Sequence, residues 1–277
     1  MTDWAAFVGL TVVVLLSLLA LARLSQGTVR APPRRADGSA GSVALAEFDP
    51  PTRGRGAAAS LPDGGVLSRA ASRTDLDSIG TGALLVNVAL SQGLFGLALV
   101  AGAWYTRVPL AALGVDLSAP LSTGLPALAV GVGVGVALYL ANALGAAGAS
   151  ALGFDADETL RDLLTPDSPG GWGLLLVGVL PIIAGFEEVL FRAALVGAFS
   201  TGFGVSPWLL AALSSVAFAL GHGAQGRAGI LVTGVLGFVL AAVFVLTNSL
   251  LAVVVAHYLV NALEFVVSGY FGVEWAA

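Results

Sequence analysis

The chain has no cysteine and no lysine, and only two histidines occur among its 277 residues. Without cysteine there is no disulfide, no thiol nucleophile and no thiolate metal site. Any chemistry must therefore use carboxylate, imidazole, hydroxyl or amide groups. Charge of either sign is scarce as well: Asp, Glu, Lys and Arg make up 10% of the sequence, its twelve basic residues are all Arg, and the net charge is -5. That balance argues against a nucleic-acid partner, which a cluster of basic residues would serve. A phosphate-cradling P-loop and a dinucleotide fingerprint are both missing.

What is present is apolar. At 57% hydrophobic residues and a mean hydropathy of +0.93, the apolar surface exceeds what one soluble core can bury. The expected fold is all-α: a polytopic integral membrane helical bundle of about seven transmembrane helices with one short interfacial helix, multi-pass in the cell membrane. Candidate spans are residues 4–22, 79–105, 125–152, 172–203, 207–223, 228–247 and 250–271. Residues 155–167, where Asp155, Asp157, Glu158, Arg161 and Asp162 alternate with Leu160, Leu163 and Leu164, suit a helix lying at the interface.

The domain reading follows composition. Residues 1–23 are expected to be a retained transmembrane anchor rather than a signal peptide, because Asp3 and no Arg precede the apolar run and no small-x-small cleavage pattern closes it. Residues 24–78 read as a disordered cytoplasmic linker, rich in Gly, Ala, Pro and Ser; residues 23–78 hold eight of the twelve Arg. Residues 79–277 read as a membrane-embedded helical domain with a core at about 172–265. Counting outward from a cytoplasmic linker puts Arg107 outside and Arg161 and Arg227 inside. Gly131, Gly133 and Gly135, at alternating positions of one span, suit close helix packing.

The charges inside the apolar segments carry the functional signal. Glu187, Glu188 and Arg192 fall within six residues of one span, where each ionised group costs roughly 2.5 to 3.5 kcal/mol at mid-bilayer. Glu188 and Arg192, at i and i+4, share a helix face and can pair. Glu187 points about 100° away, free to face a cavity as a proton acceptor. A buried ion-pair network that only locks two helices would need the same residues. The two histidines lie in later spans, as Phe218-x-x-x-His222 and His257-x-x-x-Asn261, with Glu264 continuing the second stripe. Glu264 fits either an interfacial position or a supporting one.

Glu187-Glu188-Val-Leu-Phe-Arg192, Phe218-x-x-x-His222 and His257-x-x-x-Asn261 resemble, in order and spacing, the three motifs of the CPBP family of intramembrane endopeptidases, the CAAX protease and bacteriocin-processing group. The resemblance covers about 172–264, a third of the chain, and leaves the anchor and linker outside it. It implies a peptide bond of a membrane-tethered or lipidated substrate hydrolysed by water that Glu187 and His222 position and deprotonate. It further implies His257 and Asn261 as oxyanion donors, with Glu188, Arg192 and Phe218 in support. No cofactor is required by this reading, although Glu187, His222 and His257 resemble a His₂Glu zinc set and leave a divalent metal as an alternative. A non-catalytic scaffold or immunity-type protein is a competing class. A proton-coupled transporter is another, although no inverted repeat is visible.

Overall fold

The computed structural model describes residues 1–29, 80–151 and 159–273. Among them there is no strand. Seven major helices follow in order: α1 (Trp4–Val29), α2 (Thr81–Tyr105), α3 (Leu125–Ala151), α4 (Pro169–Phe203), α5 (Pro207–Gly221), α6 (Gly226–Thr247) and α7 (Leu250–Tyr270). Six are long and apolar enough to cross a membrane. The seventh, α5, is apolar but shorter: its 15 residues extend about 22 Å against a hydrocarbon thickness of about 30 Å. Ser206 and Pro207 start it, the Ser206 hydroxyl accepting from the Leu209 amide at 3.5 Å, and Gly221 and His222 stop it.

Large apolar side chains point outward along these helices: Leu90, Leu94 and Leu97 on α2, Leu140 and Leu144 on α3, and Leu213 and Val216 on α5 are all exposed. In water this would be an adhesive surface; in lipid it is the solvated face. The protein is a multi-pass membrane protein.

Two sequence boundaries shift. Helix α1 continues past residue 23, the expected end of the anchor, to Val29. The rest of the expected linker, residues 30–78, lies outside the described residues. So do residues 155–158 of the expected interfacial helix, of which a short helix, Thr159–Leu164, is seen.

Each end of the bundle is tied. At one end the α1 N-terminus meets the end of α2, where the Asp3 amide donates to the Thr106 carbonyl at 3.0 Å. There the 106–124 connection clamps the α6–α7 turn. The Ser122 hydroxyl lies 3.0 Å from the carbonyls of both Gly114 and Asn248, and Ser249 donates to the Ser122 carbonyl at 2.6 Å. Asn248 ends α6 at a φ of 46°, a left-handed position that Asn tolerates. At the other end Arg161 Nη1 lies 3.1 Å from Glu264 Oε1, and Trp172 packs edge-on to Tyr270 with ring centroids 5.5 Å apart.

Two local features set the positions of the polar side chains. First, α3 and α7 approach through small residues. A Cβ on Gly131 would meet the Ala252 carbonyl oxygen at 2.7 Å, and one on Gly135 would meet that of Ala256 at 2.9 Å, whereas Gly133 faces open space. The glycines therefore let α7 lie close, and His257 follows Ala256 directly. Second, α4 changes its winding. Leu180–Glu188 is α-helical, but Val189–Ala198 is π-wound, and the switch falls right after the two glutamates. Such π segments are rare and concentrate at functional sites.

Candidate active site

Glu188 is the centre of a buried knot. Its Oε1 accepts from Arg192 Nη1 at 2.8 Å, one turn along α4, and lies 2.6 Å from Nδ1 of His257 on α7. Arg192 Nη2 donates to the Gly237 carbonyl of α6 at 2.8 Å. The guanidinium carbon lies 4.8 Å from the Phe218 ring centroid, a favourable cation–π placement. Gly237 packs closely on this ring, since a Cβ there would meet Phe218 Cδ1 at 3.0 Å. Four helices are thus joined through two charged side chains, both fully buried.

Phe218 organises the other rings. Its centroid is 5.0 Å from that of Phe191, 4.5 Å from that of His222 and 5.9 Å from that of His257. The Phe218 carbonyl lies 2.8 Å from His222 Nδ1, so this nitrogen carries the proton and Nε2 is left as the acceptor.

Glu187 faces elsewhere. It lines a cavity of about 500 Å³ with His222, Phe191 and Phe218, and its buried Oε2 has no hydrogen-bond partner. The nearest ring nitrogen is Nε2 of His257 at 3.6 Å, too far for a hydrogen bond. The cavity is not made by the motif helices alone. Leu18, Leu21 and Ala22 of α1 form one wall, and Asn87, Val88, Ser91, Gln92 and Phe95 of α2 form another.

The structure thus gathers Glu187, Glu188, Arg192, Phe218, His222 and His257 into one region. Asn261 is half-buried and is not among the cavity-lining residues, and nor is His257. Glu264 pairs with Arg161 at the boundary of the bundle. Sequence reasoning passed over the α2 residues. Asn87, Ser91 and Gln92 are three polar side chains in an otherwise apolar span, at positions i, i+4 and i+5, and that stripe was the available signal.

Among the described residues, no three His, Cys, Asp or Glu side chains are grouped so that they could hold a metal ion. Each imidazole has its Nδ1 hydrogen-bonded, His222 to a carbonyl and His257 to Glu188, which leaves the two Nε2 atoms as the nitrogens that would face a metal if Glu187, His222 and His257 held one.

The protein is thus a helical membrane bundle with a buried carboxylate and an imidazole on a common cavity. Residues 169–263 match the family model of the type II CAAX prenyl endopeptidases, Rce1-like. The match covers about a third of the chain, from α4 into α7. No curated protein and no solved structure matches it.

Proposed function

We propose that the protein hydrolyses a peptide bond of a membrane-associated substrate, with Glu187 as the base that activates water. The observation that carries this reading is the Glu187 carboxylate. Its Oε2 is buried without a partner, on a cavity it shares with His222. An unpaired polar atom in such a place costs about 1–3 kcal/mol, a penalty that a water or substrate group removes.

In this reading a water sits between Glu187 and His222 Nε2. Glu187 takes one proton as the oxygen adds to the scissile carbonyl carbon, and the carbonyl becomes an oxyanion. Collapse of the tetrahedral adduct breaks the C–N bond, and the proton held by Glu187 passes to the leaving amine. Atoms and charges balance with no other reactant. His222 is kept in the required tautomer by the Phe218 carbonyl. Glu188 and Arg192 hold α4, α6 and α7 together around the base.

His257 fits support of the two carboxylates better than oxyanion binding, because it contacts Glu188 and lies beside Glu187 instead of facing the cavity. Asn261 is not among the residues lining that cavity. The test is cleavage of a membrane-tethered reporter peptide by the purified protein and by Glu187→Ala. Loss of cleavage in the variant is expected; equal rates would end this reading.

A further inference from the structure

The cavity has a second buried atom in want of a partner. Gln92 on α2 is half-buried. Its Oε1 is fully buried and makes no hydrogen bond, and it lines the same cavity as Glu187 and His222. A carboxamide in a membrane span is retained at a cost unless something satisfies it. The surrounding face of α2 is unusual for a span: of its five cavity-lining residues, Asn87, Ser91 and Gln92 are polar. Ser91 donates to the Val88 carbonyl at 3.0 Å, so its hydroxyl proton is spent within its own helix. Gln92 therefore brings to the cavity wall an acceptor that no protein group satisfies, and rotation of its side chain would present that acceptor to a bound group.

A carboxamide also has a particular match. It presents one acceptor and two donors on a rigid plane, the complement of a peptide unit, which presents one N–H and one C=O. Leu18, Leu21, Phe95 and Phe191 on the same cavity are apolar and offer such a unit no hydrogen bond. An extended substrate entering between α1 and α2 must have its exposed backbone groups satisfied in a water-poor space.

We propose that Gln92 is a positioning residue that holds the substrate backbone. Its Oε1 accepts from one peptide N–H adjoining the scissile bond, which fixes the carbonyl in front of Glu187. This rests on the peptidase reading for its mechanistic meaning, but the binding itself is separately measurable.

The experiment uses the full chain in detergent micelles, silenced by Glu187→Gln, and a fluorescent Ala/Leu peptide carried on a single hydrophobic anchor helix. The peptide is N-methylated at one backbone nitrogen at a time. One methylation is expected to weaken binding about tenfold, the loss of a single well-placed hydrogen bond. Adding Gln92→Leu is expected to weaken the unmethylated peptide by a similar factor and to abolish the further effect of that methylation. Leucine suits a membrane helix, so a monodisperse variant is expected and a merely structural role for Gln92 would leave the methylation profile unchanged. The same profile with Gln and Leu at position 92, or no binding by either, overturns the proposal. If the chain with native Glu187 cleaves the peptide while the profile is indifferent to residue 92, the peptidase reading stands and this inference falls. Binding that depends on Gln92 with no cleavage gives the reverse result.

Discussion

Glu188 Oε1 lies 2.6 Å from His257 Nδ1 across a sequence separation of 69 residues, and the same oxygen accepts from Arg192 at 2.8 Å. One carboxylate oxygen thereby fixes the spacing of α4 and α7 beside Glu187. Glu188 is thus hydrogen-bonded through Oε1, whereas Glu187 Oε2 makes no hydrogen bond and lies 3.6 Å from His257 Nε2; the two adjacent carboxylates carry distinct expectations.

Glu187→Gln should abolish peptide cleavage, by about 10²-fold or more, if Glu187 is the general base. Its thermal unfolding midpoint in detergent should not fall, because the replaced Oε2 has no hydrogen-bond partner. A variant that loses activity together with its folded helices would show that the carboxylate is structural.

Glu188→Ala and Arg192→Ala should each destabilise strongly, by about 3–5 kcal/mol, since either leaves the other charge buried and uncompensated. The double variant should cost clearly less than the sum of the two, a coupling that unfolding measurements on all four proteins would read. Additive losses would mean that the pair is not energetically linked.

Gly135→Val should separate α3 from α7. Its first added carbon would meet the Ala256 carbonyl oxygen at 2.9 Å, and overpacking of this kind costs about 1–3 kcal/mol or more. The displaced His257 should also lower the cleavage rate. Gly133→Ala, which faces open space, is the matched control and should change neither stability nor rate.

Exhaustive chelation should leave cleavage within about twofold of the untreated protein if the Glu187 mechanism holds as drawn. Loss of activity that returns on adding zinc alone would replace Glu187-activated water with a metal-dependent step.

Much of the architecture was legible in the chain. The apolar runs marked the helices, and the i, i+4 spacing of Glu188 and Arg192 placed the two on one face. The apolar run of α5 was legible too, and its length, 15 residues, sets it apart from the six longer spans. The stripe Asn87, Ser91 and Gln92 was also readable as residues. Its facing His222 was not, because that depends on how α1 and α2 pack against α4 and α5, contacts that no local spacing encodes.

The sequence by itself determined that this is an all-helical membrane protein carrying three polar motifs, because apolar length and helical spacing are properties of single segments. Only the tertiary structure decided what those motifs touch. His257 went to Glu188 instead of to the cavity, and Glu187 and Gln92 were left with unpartnered oxygens on a wall completed by α1. The reason is physical: a buried polar atom takes whichever partner the packing of separate helices brings within about 3 Å.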